Sequence, residues 1–172
     1  MPQTQQSFSI EPARSEDIGD IQAIYAHYVG NSLATFEIEA PAVSQMLSRW
    51  ADTVRAGYPY LAARRDGRVI GYAYAGAYRA RPAYCYTVEN SIYVARDAHR
   101  SGVGRALLRQ LIDRCAQSGF HQMVAVIGDS ANASSIGLHT AMGFTHAGIL
   151  RKVGRKFDRW VDSVLMQREL GA

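Results

Sequence analysis

The sequence predicts an α/β (α+β) domain: a mixed central sheet in the order βααβββαβαββ with helices on both faces. Three observations carry this reading. Apolar residues recur at helical spacing within residues 18–28, 43–50 and 103–115. Runs rich in Tyr, Val, Ile and Thr crowd residues 60–95 and are split by the hairpin signal Asp66-Gly67. In the second half a helical pattern lies between two strand patterns, which implies a right-handed crossover and local parallel pairing.

Taken in order, Phe8 to Pro12 reads as a strand. Ser15 is the expected cap of the next helix, with Glu16 and Asp17 in the first turn where the dipole favours acids. Ile18, Ile21, Ile24, Tyr25 and Tyr28 form its apolar face, and Gly30-Asn31 breaks it. Pro41 is expected to start a second helix that buries Val43, Met46, Leu47 and Trp50 and ends near Gly57. Tyr60 to Arg64, Arg68 to Tyr78 and Tyr84 to Ala95 read as three antiparallel strands, the last two separated by a polar break containing Pro82. Gly102 to Ser118 reads as a helix burying Val103, Leu107, Leu108, Leu111, Ile112 and Cys115, stopped by Gly119. Met123 to Ile127 is a continuous apolar run, expected as a fully buried strand. Asn132 caps a short helix closed by Gly143, and Phe144 to Leu150 and Trp160 to Arg168 are the final strands.

Composition fits one domain spanning residues 1–172, with 48% hydrophobic residues and enough chain to bury a core without metal or disulfide. Val69 to Tyr78, the longest nearly apolar stretch, is about half a membrane span, so no membrane-crossing helix is expected. Met1 to Ser9 is polar and lacks a basic start followed by an apolar run, so a cytoplasmic protein is expected. Cys85 and Cys115 cannot build a disulfide framework or a zinc site alone; two buried, reduced thiols and no metal are expected.

The net charge of +4 hides a division. Residues 1–60 hold three Arg against seven acids, net −4; residues 61–172 hold sixteen bases against eight acids, net +8. Such asymmetry fits an anion met by the later part, and an evenly solvated basic surface fits it too. The bases are 17 Arg and two Lys, a bias that suits planar phosphate and carboxylate contacts and that genome composition also produces. A late cluster, Arg151, Lys152, Arg155, Lys156 and Arg159, falls in a strand-turn-strand and reads as a solvated turn or dimer rim, not a nucleic-acid site.

The most specific segment runs from Ile92 to Leu108, where a strand enters a Gly-containing loop that opens an amphipathic helix. A helix N-terminus offers unpaired N–H groups and a dipole to phosphate. Gly102 and Gly104 let the backbone approach a ligand, and Arg100 and Arg105 add charge. The Gly-Lys-Ser/Thr end of a P-loop is missing, and so is the triple glycine of a dinucleotide fingerprint.

With His99-Arg100-Ser101-Gly102-Val103-Gly104 the chain resembles the GNAT superfamily of acyl-CoA-dependent N-acetyltransferases, whose hallmark is Arg/Gln-x-x-Gly-x-Gly/Ala. His99 departs from the first position of that hallmark. The resemblance covers residues 7–168 and extends, within the superfamily, to phosphinothricin and methionine sulfoximine N-acetyltransferases. Its carriers are Ala75 to Val94 with its Thr87-Val88-Glu89, Tyr58-Pro59-Tyr60-Leu61, Val124 to Gly128 and Ser135 to His139.

The resemblance implies a GNAT fold and acetyl-CoA as cosubstrate. Ile92, Tyr93, Val94, Arg100, Ser101, Gly102, Val103, Gly104, Arg105, Asn132 and Ser135 would contact the cofactor, a bulge at residues 92–94 giving an N–H to the thioester oxygen. Asn132 and Ser135 also fit simple helix capping. The acceptor would be a small amino acid met by Phe36, Arg79, Arg81, Tyr84, Glu89, Asn90 and Ser91, and the enzyme would be a homodimer conferring herbicide resistance.

Transfer to an amine needs a neutral nitrogen, and an α-amino group has a reference pKa of about 8, so a base must take its proton. Glu89 sits mid-strand among apolar neighbours, where an acid is disfavoured unless paired or functional. The resemblance makes it the base and adds His139 as a helper in proton transfer; packing is the other reading of a lone helical His. Direct attack without a covalent acetyl-enzyme follows. The alternatives are a GNAT enzyme for a protein N-terminus or polyamine, a non-catalytic acyl-CoA-binding module, and a nucleic-acid binder.

Overall fold

The structure, a computed structural model, describes residues 7–171. Met1 to Gln6, part of the stretch used to expect no leader, lie outside the described residues. The elements follow the predicted order: β1 (Ser9–Pro12), α1 (Ile18–Asn31), α2 (Val43–Arg55), β2 (Tyr60–Arg65), β3 (Arg68–Ala77), β4 (Thr87–Val94), α3 (Val103–Gln117), β5 (Gln122–Gly128), α4 (Ala133–Ala141), β6 (Thr145–Lys156) and β7 (Arg159–Glu169). One sheet holds all the strands in the order β1-β2-β3-β4-β5-β7-β6. Among the described residues only β4 and β5 pair in parallel; α3 is the crossover between them.

Strand alternation divides the core into two layers. On one face α3 buries Val103, Leu107, Leu108, Leu111, Ile112 and Cys115 against Ala63, Ala73, Ala75, Val88 and Met123. Each large side chain so buried contributes roughly 1.5–3 kcal/mol relative to exposure. Small residues let the helix lie close: a Cβ at Gly71 would stand 3.0 Å from Val103 and 3.2 Å from Leu107. On the other face α1 packs Ile18, Ile21, Ile24, Tyr25 and Val29 onto Tyr60, Ala62 and Tyr72. The Asp66-Gly67 turn has positive φ at both residues, 51° and 78°, as the tight hairpin requires.

Several local expectations are corrected. Ser15 does not cap α1; it starts a 3₁₀ turn (Ser15–Asp17), and the Asp17 carboxylate accepts the Arg14 N–H at 2.6 Å. Asp17 also binds Arg64, which ties the start of α1 to β2. α2 begins at Val43, not Pro41, because the Gln45 side chain accepts the Ala42 N–H at 2.8 Å. Within α2 only Met46 is buried; Val43 and Leu47 are exposed, since α2 packs on α1 and touches the sheet mainly at β2. Tyr84 belongs to a 3₁₀ turn (Pro82–Tyr84), as the fixed φ of Pro82 favours, so β4 starts only at Thr87. The expected bulge at 92–94 is not there: β4 keeps unbroken register with β3 from Val88↔Ala77 to Val94↔Gly71. β5 is not fully buried, because Val126 is 37% exposed on the side where β4 turns away.

The cysteines differ as well. Cys115 is buried in the α3 core, and burial pushes its thiol up to about 12. Cys85 is exposed, contrary to expectation, because the 82–86 segment leaves the sheet. Ellman's reagent should therefore titrate one thiol per native chain and two after unfolding. Two fast-reacting thiols in the native protein would contradict the packing of α3.

Candidate functional site

The parallel pair at the centre of the sheet is incomplete. β4 and β5 are in register from Thr87↔Gln122 to Asn90↔Ala125. Beyond that point β4 continues to Val94 and β5 to Gly128 without pairing to one another. The strands splay into a cleft that leaves backbone groups of residues 91–94 without strand partners on that side. A polar cluster marks the fork. Asn90 Nδ2 donates to the Val124 carbonyl at 3.3 Å, and His139 Nε2 lies 3.0 Å from Asn90 Oδ1.

A groove of about 750 Å³ runs along this cleft. Its floor is Ser91 to Val94 on one side and Val126 to Gly128 on the other. The N-terminus of α3 closes one end. Arg100 and Gly102 have φ of 60° and 84°, so the chain coils as it enters the helix, and Ala106 is the first N–H to bond back, to Gly102 O at 3.0 Å. The preceding N–H groups of the first turn are therefore available to an anion, with the Arg100 and Arg105 side chains beside them. α4 supplies the opposite wall, where Asn132 Oδ1 caps the Ser135 N–H at 3.2 Å.

Glu89 lies on the other side of the strand from Asn90. Val88 faces α3 and Asn90 faces α4, so Glu89, Ser91 and Tyr93 face α1 and α2. Among the described residues the Glu89 carboxylate forms no salt bridge, and burial alone raises its pKa. Around it spreads a layer of tyrosines. Tyr60, Tyr72 and Tyr74 stack with centroids 4.8–6.3 Å apart, and Tyr25 and Tyr28 each meet Tyr93 edge-on at 5.1 Å. Burial pushes all six upward, Tyr25 to about 12, so they stay neutral hydroxyls at pH 7. Glu89 and the Glu37–Arg49 pair, 2.6 Å apart, bear on the Tyr74 hydroxyl. Of the two carboxylates in this layer, Glu37 is paired with Arg49, and Glu89 has no cationic partner among the described residues.

His139 is held on the opposite face. It is 2% exposed, with Nδ1 2.8 Å from the Ser135 carbonyl oxygen and its ring edge-on to Phe144. Burial lowers its pKa, partly opposed by the Ser135 bond. The structure thus brings His139 to Asn90 and not to Glu89.

The remaining predicted residues divide. Ile92, Tyr93, Val94, Arg100, Gly102, Gly104, Arg105, Asn132 and Ser135 line the groove, as do Asn90 and Ser91. Val103 turns its side chain into the core, and Ser101 Oγ donates to the Ala98 carbonyl at 2.6 Å, so these two offer backbone only. His99 rests on the end of β4, its Nε2 3.1 Å from both the Val94 carbonyl and the Tyr28 hydroxyl. Phe36, Arg79, Arg81 and Tyr84 stand outside the groove. Phe36 packs on Gly154, while Arg79 lies over Tyr78 at 5.2 Å in the exposed loop that also carries Arg81 and Tyr84. Ser32, Leu33 and Ala34, in a loop without a motif, and Tyr28, in the last turns of α1, are wall residues that sequence reasoning missed. The basic cluster is not one patch: Arg155 pairs with Asp158 at 3.2 Å, and Lys156 is buried.

Comparison with known proteins agrees with this geometry. Residues 10–165 match the acetyltransferase (GNAT) domain family. Over 164 residues the chain is 50% identical to the phosphinothricin N-acetyltransferase of Alcaligenes faecalis, covering 95% of this chain and 83% of that one. It is 43% identical over 166 residues to the L-methionine sulfoximine/L-methionine sulfone acetyltransferase of Pseudomonas aeruginosa, covering 95% of each. The crystal structure of a GNAT superfamily phosphinothricin acetyltransferase from Sinorhizobium meliloti, in complex with AcCoA, superposes with a TM-score of 0.92 at 44% identity, covering 95% of this chain and 89% of that one. With its forked parallel pair, its coiled entry into α3 and these relatives, the chain belongs to the GNAT family and is an acetyltransferase.

Proposed function

We propose that the protein transfers the acetyl group of acetyl-CoA to the α-amino group of a small amino acid such as L-phosphinothricin or L-methionine sulfoximine. One observation carries the reading: a half-buried carboxylate, Glu89, without a salt-bridge partner among the described residues, beside the fork of β4 and β5. The relatives' activities supply the substrate class.

The coenzyme pyrophosphate sits on the N–H groups of residues 100–105, with Arg100 and Arg105 as counter-charges. Pantetheine adds to the free edge of β4 along Ser91 to Val94 like a further strand, which carries the thioester toward the fork. The acceptor enters from the α1–α2 side. Glu89 takes a proton from the ammonium, directly or through water, and the neutral nitrogen attacks the thioester carbon. An N–C bond forms, the C–S bond breaks, the nitrogen sheds its second proton as the amide forms, and the departing thiolate takes up a proton to give CoA thiol. A backbone N–H of residues 92–94 meets the oxygen as it gains charge. His139 stands between two acceptors, the Ser135 carbonyl and Asn90 Oδ1, and its neutral ring donates to one of them; it orients Asn90 at the fork, on the opposite face from Glu89. Arg79, Arg81 and Tyr84 receive the anionic end of the acceptor from their exposed loop. Neither cysteine acts as a nucleophile.

The same reading makes the enzyme a cytoplasmic homodimer, with exposed Leu150, Val153, Phe157 and Trp160 on the β6–β7 hairpin as the apolar surface for a second copy. Acetylation would also confer resistance to a phosphinothricin herbicide.

Release of CoA thiol should follow addition of acetyl-CoA with L-phosphinothricin or L-methionine sulfoximine, and not with a polyamine. Absence of turnover with both amino acids, together with turnover of an N-terminal peptide, would move the acceptor to proteins. Glu89→Gln should lower kcat by about 10²–10⁴-fold. The wild-type kcat/KM should fall as pH drops through the raised pKa of Glu89, an acid limb that vanishes in Glu89→Gln. Stability has the opposite sign. Because the folded pKa is raised, Glu89 destabilises the fold fully above that pKa, less as pH falls below it, and no longer once pH is below the pKa of the unfolded carboxyl. Glu89→Gln should therefore raise Tm at neutral pH and lose that advantage in acid; a lower Tm at neutral pH would contradict the unpaired carboxylate.

A further inference from the structure

The groove wall facing β4 is the loop between α1 and α2, and its own sequence does little to fix it. Ser32, Leu33 and Ala34 line the groove, yet residues 32–42 form neither helix nor strand. Contacts from distant parts of the chain hold it. Lys156, at the end of β6, reaches beneath the loop, and its Nζ donates to the Ser32 and Thr35 carbonyls at 2.8 Å each. Only 3% of Lys156 is exposed. A buried ammonium is unfavourable unless its donors are met, and here two carbonyls meet two of its three.

Two glycines complete the seat. A Cβ at Gly128, the end of β5, would overlap the Leu33 carbonyl oxygen, and a Cβ at Gly154 on β6 would overlap the Phe36 ring. From the other side the Tyr25 hydroxyl bonds Thr35 Oγ1 at 2.8 Å and donates to Glu37 at 3.1 Å. Glu37 and Glu89 both bear on the Tyr74 hydroxyl. The loop thus runs from the groove wall to the surroundings of the base, and Lys156 is the cation under its middle.

We propose that Lys156 is a positioning residue: by pinning Ser32 and Thr35 from beneath, it fixes the loop against which the acceptor amine is aligned with the thioester. The proposal rests on the acetyl-transfer reading above. An apolar residue of equal length would fill the space but leave both carbonyls without a donor. The loop would then drift relative to Glu89. The pyrophosphate contacts, at the far end of the groove on α3, would not feel the change.

The test is Lys156→Met, checked for folding by circular dichroism. Amide exchange in residues 32–37 should accelerate, and KM for the amine should rise about tenfold or more, given that a ~1 Å misplacement can cost ~10²-fold. The calorimetric Kd for CoA should change far less than the amine KM, because the pyrophosphate contacts lie on α3, and Lys156→Arg, which keeps the donors, should recover part of the loss. A folded Lys156→Met with wild-type exchange in the loop and wild-type amine KM overturns the proposal. So does an equal loss of CoA and amine binding, which indicates general loosening. If Lys156→Met does not fold, Gly154→Ala displaces the same loop through Phe36; an unchanged amine KM there is equally fatal. A wild-type enzyme that acetylates no amino acid sinks the functional reading alone, because the exchange measurement still decides whether Lys156 holds the loop.

Discussion

A parallel strand pair that stops pairing partway is the constraint on which the rest of this structure depends. In a closed sheet the backbone of β4 and β5 would be satisfied throughout. Here pairing ends at Asn90 and Ala125, and the protein spends side chains to stabilise the fork: the Asn90 amide on the Val124 carbonyl, and His139 behind it. The groove, the exposed face of Val126 and the approach to α3 all follow from that divergence. Period-2 alternation then places Asn90 and Glu89 on opposite sides of one strand, which separates the polar cluster of the fork from the Glu89 carboxylate.

Electrostatics sharpen this division. The tyrosine layer around Glu89 is large, buried and neutral, so it lowers the local dielectric without offering a competing base. The −4 charge of the first 60 residues lies partly in Glu37 and Asp17, each tied to an arginine. The +8 charge of the remainder does not form one anion site. Arg100 and Arg105 face the groove, Arg79 and Arg81 occupy an exposed loop, and Lys156 lies inside.

Periodicity and turn chemistry made much of the fold legible in the sequence. The α3 face, the Asp66-Gly67 hairpin and the Asn132 cap were readable because each depends on neighbours close in the chain. The loop before α3 was readable because its glycines and arginines sit in one segment. Other features depend on distant residues and were not. Val126 has the same local pattern as a buried strand residue, and only the departure of β4 exposes it. Ser32 to Ala34 carry no motif, and their course is set by residues more than 90 positions later. Lys156 looked like one base in a basic cluster until the fold placed it under a loop.

The forked sheet also has a thermodynamic consequence. A cosubstrate that docks on the free edge of β4 acts as a strand supplied from solution, binding the folded chain and not the unfolded one. Its concentration then becomes a variable of folding: ligand at 100 times its Kd adds about 2.7 kcal/mol to stability. Marginal proteins of this size hold about 5–15 kcal/mol in total. Acetyl-CoA docked in that way would therefore govern how firmly the fold holds as well as how fast the enzyme works.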